Sequence, residues 1–299
     1  MLGRNANGLL GYSDDARLLI VNADDFGMSG SVNQAVLAAV TQGLATSASL
    51  MVPWPAAAEA IRMLREHPEV SFGLHLSVVS EMPGYRIGPV APVAAVRSLT
   101  DGSGCFYGLD ARAGFAARAG LAARAELGEL ETEFRAQIQA VLTAGLRPGH
   151  LDWHCLADGG RPDIFEMTLG LARDYGFALR VHDQALAGRL RDQGLPANDH
   201  GVLDSYGLDP AGQAARYLQL LRELPAGLTE WALHPALDTS ELREMEPASW
   251  RVRLTDYEFL MSEQARQAVK DEGIVLLSRE SVRQVWAARY APTPHRRRP

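Results

Sequence analysis

The stretch RLLIVNADDFGM, residues 17–28, decides the fold class. Its apolar run, residues 18–21, leads into two adjacent acids, Asp24 and Asp25, and Gly27 follows. A continuous apolar run is typical of a strand that is buried on both faces, as in a parallel sheet. Because two acids at a buried strand end repel each other and lose hydration, they favour a compensating positive charge, usually a metal ion. A capped turn would explain one Asp at this position, so the rest of the chain decides between the two interpretations.

Segments with strand patterns and segments with helix patterns alternate along residues 17–289. They predict about seven strands with helices between them and no change of composition along the way. The alternation indicates one α/β domain, either a TIM-like barrel or an open parallel sheet. At about residues 77–125 several prolines indicate a long irregular insertion, which we expect to act as a lid or substrate wall. We also expect a loose arm over residues 1–16, a single helix over residues 257–270 and a flexible basic tail over residues 290–299.

Composition and charge argue against several classes of protein. The formal net charge of -7 at pH 7 gives no electrostatic support to a nucleic-acid or anionic-membrane partner. No segment approaches the ~20 apolar residues of a membrane span, and no glycine-rich GxGxxG follows the first strand to indicate a dinucleotide cofactor. Cys105 and Cys155 form no disulfide framework and, without a signal-peptide pattern, they predict a cytoplasmic protein. The sequence leaves a homodimer open.

Polar side chains collect at the carboxyl ends of the predicted strands. Asp24 and Asp25 end the first strand, His75 ends the third, and His234 ends a late one. A further group, HLDWH at residues 150–154, ends a strand between them. Because the carboxyl ends of parallel strands face one side of a barrel or sheet, we expect these residues to converge. One carboxylate with two imidazoles would hold a metal ion and leave positions open for water and substrate, as in catalytic sites.

The spacing within residues 150–154 indicates that the two histidines have different roles, one as a metal ligand and one deeper in the strand. In an extended chain, at ~3.3 Å per residue, His150 and His154 would lie ~13 Å apart, so both cannot bind one ion unless the chain bends. His154, nearer the open end of the strand, is the better ligand candidate. His150 and Asp152 lie deeper, where we expect them to orient a ligand imidazole. Taken singly, His75 fits a hydrogen-bonded core histidine, so the prediction depends on the joint pattern.

Four motifs resemble those of a known family. They are NADDFG at residues 22–27, GLHL at residues 73–76, HLDWH at residues 150–154 and LHP at residues 233–235. In this order and spacing the motifs resemble the YdjC-like carbohydrate deacetylases, the chitooligosaccharide and hopanoid deacetylase group. The resemblance implies a single-domain incomplete (β/α) barrel, TIM-like and related to the polysaccharide deacetylases. It also implies hydrolysis of the N-acetyl group of a sugar, with one divalent metal ion, Mg²⁺ or Zn²⁺, as cofactor.

The resemblance also assigns roles residue by residue. Asp25, His75 and His154 match the family's metal ligands. Asp24 matches the general base, which takes a proton from the attacking water, and His234 matches the general acid, which protonates the leaving amine. An N-acetylated sugar, of chitooligosaccharide or N-acetylglucosamine type, is therefore the expected substrate.

The third motif differs from that of many relatives at its end. They continue it as HxDxHQH, whereas Cys155 and Leu156 stand here. We therefore expect the pocket beside the metal, and with it the substrate, to differ. Within the motif, Trp153 is the aromatic residue that we expect to stack on a pyranose ring, with ordinary packing as the alternative.

Two other functions remain open at this point. Another metal-dependent amide or phosphoester hydrolase could use similar Asp and His residues on an α/β barrel, although amidohydrolases usually carry HxH on the first strand, where NADD stands here. A non-catalytic carbohydrate-binding protein is the second alternative. The presence of both Asp24 and His234 argues against it, because binding alone needs neither a base nor an acid.

Overall fold

The computed structural model describes residues 5–82, 84–108, 120, 123–207 and 212–290. Its strands are β1 (Arg17–Phe26), β2 (Ser47–Leu50), β3 (Phe72–Leu76), β4 (His150–Trp153), β5 (Ala178–Leu179), β6 (Leu203–Asp204), β7 (Gly227–Leu233) and β8 (Val275–Leu276). Seven of them pair in the order β5-β4-β3-β2-β1-β7-β6, and β8 pairs with the start of β1. Every ladder between these strands is parallel. The seven-stranded path forms a half-barrel, which confirms the predicted incomplete (β/α) barrel.

Helices connect and cover the strands. They are α1 (Ala6–Leu10), α2 (Gly30–Thr41), α3 (Ala57–Glu66), α4 (Leu127–Thr143), α5 (Pro162–Tyr175), α6 (Gln184–Asp192), α7 (Gln213–Glu223), α8 (Ser240–Met245), α9 (Trp250–Met261), α10 (Glu263–Asp271) and α11 (Arg279–Tyr290). No helix among the described residues is long and apolar enough to cross a membrane.

Strand β1 is an interior, buried strand of the sheet, as its apolar run predicts. Residues 18–26 of this strand are at most 2% exposed, because β2 and β7 flank it and β8 pairs with its first half. Gly27 directly follows the strand, and its φ of 101° is in the left-handed region. A Cβ atom at Gly27 would lie 2.9 Å from the carbonyl oxygen of Met51, so glycine is needed where β1 turns into α2.

Two sequence-based expectations differ from the observed chain. The helix predicted over residues 257–270 is two helices, α9 and α10, because Ser262 between them is extended and its hydroxyl caps α10 by accepting a hydrogen bond from the Ala265 amide. The arm before β1 is not loose over residues 5–16. It contains α1, in which Ala6 and Asn7 are fully buried, and the Ala6 amide donates to Asp199.

The insertion after β3 packs against the barrel over its described part. Two short 3-10 turns, Val93–Ala95 and Arg97–Leu99, lie in it, and Val96, Leu99 and Phe106 are fully buried. Residues 109–119, from the alanine-rich part of the insertion, lie outside the described residues, as do residues 291–299 of the predicted tail. Tyr290 belongs to α11.

Candidate active site

A bulge at the end of β1 turns both acids of the NADDFG motif towards one site. Side chains of successive strand residues normally face opposite sides of a sheet. Between Ala23 and Phe26, however, the pairing of β1 with β2 shifts register, and Asp25 has a φ of 68°. This backbone conformation is rare for a residue other than glycine. As a result, carboxylate oxygens of Asp24 and Asp25 lie 4.0 and 3.5 Å from the same atom, Nε2 of His75.

Asp25, His75 and His154 form a group that could hold a metal ion. Oδ1 of Asp25 lies 3.5 Å from Nε2 of His75 and 3.5 Å from Nδ1 of His154, and all three atoms lie within 4.8 Å of one another. Ligands bound to a tetrahedral ion at ~2.0–2.1 Å are separated by roughly 3.4 Å. The distances from Oδ1 of Asp25 to the two imidazole nitrogens therefore fit one shared cation.

Each histidine of this group has a carboxylate on its other ring nitrogen. Nδ1 of His75 lies 2.7 Å from Oδ1 of Asp152, and Nε2 of His154 lies 2.7 Å from Oε1 of Glu81. Both carboxylates favour the proton on the nitrogen that faces them, which leaves the lone pair of the opposite nitrogen directed at Asp25. The tautomers thus suit two neutral imidazole ligands.

The electrostatic environment of the group favours a positive charge. Burial alone would lower the pKa values of His75 and His154, but Asp152 and Asp24 beside His75, and Cys155 and Glu81 beside His154, outweigh it and raise both pKa values above the usual range. Burial would raise the pKa of Asp25, yet Arg253 and the nearby imidazoles hold that pKa well below the usual range. Oδ1 of Asp25 has no hydrogen-bond donor among the described residues, although a buried carboxylate oxygen normally has one. A cation would satisfy it.

Asp24 is held as an ionised carboxylate by Arg180, which follows β5. The guanidinium nitrogens Nη1 and Nη2 donate to the two oxygens of Asp24 at 2.8 Å each. Burial favours the neutral acid, but Arg180, with help from His75, outweighs this effect and lowers the pKa of Asp24. Such a bidentate pair is strong and fixes the plane of the carboxylate.

His234 directly follows β7 and lies close to Asp24. Its Nε2 atom is 3.9 Å from Oδ2 of Asp24, and its Nδ1 atom is 3.0 Å from the hydroxyl of Ser205. The backbone amide of His234 donates to Oδ2 of Asp256 at 2.7 Å. The ring of Tyr206, 40% exposed, contacts the imidazole with centroids 4.7 Å apart. His234 therefore lies between Asp24 and an exposed aromatic ring, that of Tyr206.

The structure brings together Asp24, Asp25, His75, His154 and His234, with Asp152 behind His75, whereas His150 and Trp153 make other contacts. Asp152 contacts His75, as above. His150 is fully buried, and its Nε2 atom contacts the hydroxyl of Ser49 at 3.2 Å instead of a ligand imidazole. Trp153 is 3% exposed and stacks on Phe165 with ring centroids 6.1 Å apart. Its expected stacking on a sugar stays a prediction, and its observed contact is a packing contact.

Several charged residues of the site were missed by the sequence analysis. Arg180 donates to Glu230 at 2.8 Å and lies 3.1 Å from Asp152, and Arg279 also pairs with Glu230. Arg253, from α9, donates to Asp25 at 2.8 Å. Glu230 gave a usable signal, because a carboxylate within the apolar strand LTEWAL needs a buried partner. Glu81 gave none, since it lies in the irregular insertion.

Comparisons with known proteins agree with this architecture. Residues 18–271 match the family model described as YdjC-like protein. Proteins named carbohydrate deacetylase are similar to the chain: one from Geobacillus stearothermophilus is 33% identical over 74% of this chain and 80% of its own length. Another, from Brevibacillus brevis, is 32% identical over 87% of this chain and 97% of its own length.

A solved structure is similar over nearly the whole fold. It is a crystal structure from Enterococcus faecalis V583 of a protein provisionally named for cellobiose-phosphate cleavage, and it superposes with a TM-score of 0.75 at 27% identity. The match covers 89% of this chain and 99% of that chain. The comparisons identify the family and do not distinguish the chitooligosaccharide and hopanoid group within it. With a family model matched over most of its length, the chain belongs to the YdjC-like protein family.

Proposed function

We propose that the protein is a metal-dependent hydrolase that removes the acetyl group from the N-acetyl amine of a sugar or a sugar-containing small molecule. The names of the similar proteins support a carbohydrate deacetylase. The observation that carries the proposal is the arrangement of Asp25, His75 and His154 around one point, with Asp24 and His234 beside it. Binding a sugar would require neither of the last two residues.

One divalent ion, Mg²⁺ or Zn²⁺, is the proposed cofactor, held by Oδ1 of Asp25, Nε2 of His75 and Nδ1 of His154. Zn²⁺ accepts such a mixed carboxylate and imidazole set readily, and Mg²⁺ accepts it with more water ligands. A bound divalent ion would polarise the acetamide carbonyl and lower the pKa of a water beside it.

Asp24 accepts the proton of the attacking water in this proposal. Its lowered pKa keeps it ionised at neutral pH, so the carboxylate is ready to act as a base. Arg180 holds both of its oxygens, which fixes the direction from which the proton is taken. The cost of this arrangement is a weaker base, since proton transfer is most efficient when the pKa is near the working pH.

His234 donates a proton to the leaving nitrogen. An amine is a poor leaving group without a proton, and general acid catalysis contributes about 10²–10⁴-fold in rate. Ser205 contacts Nδ1, so Nε2 is the nitrogen that faces the site, 3.9 Å from Asp24. The base and the acid therefore flank the position that the reacting amide would occupy.

Release of acetate from N-acetylglucosamine oligomers tests the proposal. We expect hydrolysis that stops in chelator and returns when Zn²⁺ or Mg²⁺ is added back. Asp24→Asn should lower the rate by about 10²-fold or more, whereas Asp192→Asn, at an exposed position of α6, should not. The substrate panel should include phosphorylated disaccharides, because the similar Enterococcus structure is named for such a compound. An undiminished rate in chelator, or phosphate release in place of acetate release, would contradict the proposal.

A further inference from the structure

Glu81 uses both of its carboxylate oxygens on neighbouring residues of the candidate site. Oε1 lies 2.7 Å from Nε2 of His154, and Oε2 accepts a hydrogen bond from the thiol of Cys155 at 2.7 Å. The side chain of Glu81 is 18% exposed and that of His154 is 6% exposed. With two partners on adjacent residues, the carboxylate has little freedom to rotate, and the imidazole that it contacts shares this restriction.

The backbone around Glu81 is anchored although it belongs to an irregular segment. The amide of the preceding residue, Ser80, donates to the carbonyl oxygen of Tyr107 at 3.0 Å. The Ser80 hydroxyl accepts from the amide of Ile87 at 3.1 Å. Ser80 itself is 4% exposed. The insertion after β3 therefore presents Glu81 to the end of β4 from a fixed position.

The contact repeats the one that Asp152 makes with His75. In both pairs a carboxylate oxygen lies 2.7 Å from the ring nitrogen that faces away from Asp25. Carboxylates in this position select the tautomer of a ligand imidazole, fix its orientation and raise its basicity. The two pairs differ in origin, because Asp152 comes from the adjacent strand and Glu81 from the insertion.

We propose that Glu81 is a positioning residue that holds the His154 imidazole with Nδ1 directed at the ion proposed above. The inference depends on the proposed metal site. It gives the first part of the insertion a role in assembling that site. Cys155 completes the arrangement by occupying the second oxygen of Glu81, so that the first oxygen stays on His154.

Equilibrium affinity for Zn²⁺, measured by competition with a chelator on the full chain, tests this role. Glu81→Met removes both acceptor oxygens at similar length, and we expect the affinity to fall about 10–100-fold. Glu81→Gln keeps one acceptor oxygen without the charge and should lie between Glu81→Met and the parent. Glu69→Met is a matched control, because Glu69 also contacts a histidine, His67 at 3.1 Å, but on the exposed surface.

The thermal unfolding of each chelated variant separates positioning from folding. A weaker affinity with an unchanged unfolding midpoint, partly restored in Glu81→Gln, is the expected result. If Glu81→Met binds Zn²⁺ as tightly as the parent while Asp25→Asn does not bind it, Glu81 has no such role and the proposed metal site stands. If Asp25→Asn also binds as the parent does, the metal site and this inference both fail. If Glu81→Met does not fold, a parental affinity of Glu81→Gln overturns the inference.

Discussion

Oδ1 of Asp25 lies 3.5 Å from Nε2 of His75, and no described residue donates a hydrogen bond to that oxygen. The other oxygen of Asp25 is occupied by Arg253, and the other nitrogen of His75 by Asp152. Oδ1 of Asp25 and Nε2 of His75 can therefore both donate a lone pair, and Arg253 and Asp152 hold the two side chains in place. Two such donors in a buried site are stabilised by a shared cation, and His154 supplies a third from a separate strand end.

Replacing His234 by alanine should reduce turnover and leave metal binding intact. The residue is 3.9 Å from Asp24 and is not among the three proposed ligands. We expect kcat for acetate release to fall about 10²–10⁴-fold, the usual contribution of a general acid, with an unchanged metal content per chain. Parallel kinetics and elemental analysis of the purified variant measure both. A parental kcat would show that another group protonates the leaving amine.

Arg180→Met should destabilise the fold strongly. It would leave the buried carboxylates of Asp24, Asp152 and Glu230 without the guanidinium that contacts all three. Removing one partner of a buried ion pair typically costs about 3–5 kcal/mol, a loss that urea unfolding of the chelated protein can measure. Arg216→Met removes an exposed pair with Glu223 and should change little. Equal effects of the two substitutions would contradict the account of the barrel interior.

The architecture followed from local patterns, because β1, β3 and β7 each have apolar residues along the strand and a polar residue at or directly after its carboxyl end. Residues 18–21 predicted a strand buried on both faces, and β1 is that strand. The break at Ser262 was missed because the residues on both of its sides form helices, and only the cap distinguishes two helices from one.

The candidate site was predictable only as far as the strand ends reach. Asp24, Asp25 and His75 lie at the ends of their strands and His154 and His234 directly follow theirs, and parallel strands bring their ends together. The bulge that turns both acids to one side depends on the φ of Asp25, which no neighbouring residue type indicated. Arg253 and Glu81 reach the site from a helix and from the insertion, so their contacts depend on packing between distant segments.

His150 should make stability fall on acidification. Burial is the main cause that lowers the pKa of His150 to about 4 from the usual value of 6.5. Between these pH values the unfolded chain takes up a proton at His150 and the folded chain does not, so the free energy of unfolding decreases as the pH falls. Relative to His150→Gln, the parent should lose about 3 kcal/mol between pH 7 and pH 4. A pH-independent difference between the two proteins in urea unfolding would contradict this assignment.

Gly73→Ala should destabilise the protein by crowding His150. A Cβ atom at position 73 would lie 2.4 Å from ring atoms of that fully buried imidazole. Overpacking of this kind costs about 1–3 kcal/mol. Gly170→Ala, within α5 and with no atom within 4 Å of the added Cβ, should instead stabilise the helix by about 0.5–1 kcal/mol. Thermal or urea unfolding measures these opposite changes in the free energy of unfolding. An unchanged stability of Gly73→Ala would show that the His150 ring can shift.

An anomalous difference map from crystals grown with Zn²⁺, or with Mn²⁺ as a substitute for Mg²⁺, tests most directly whether three strand ends share one cation. We expect one peak at roughly 2.0–2.2 Å from Oδ1 of Asp25, Nε2 of His75 and Nδ1 of His154, and no peak at this position in crystals of Asp25→Asn. A folded protein whose only ordered ion lies elsewhere, with these three atoms left without one, would contradict the account.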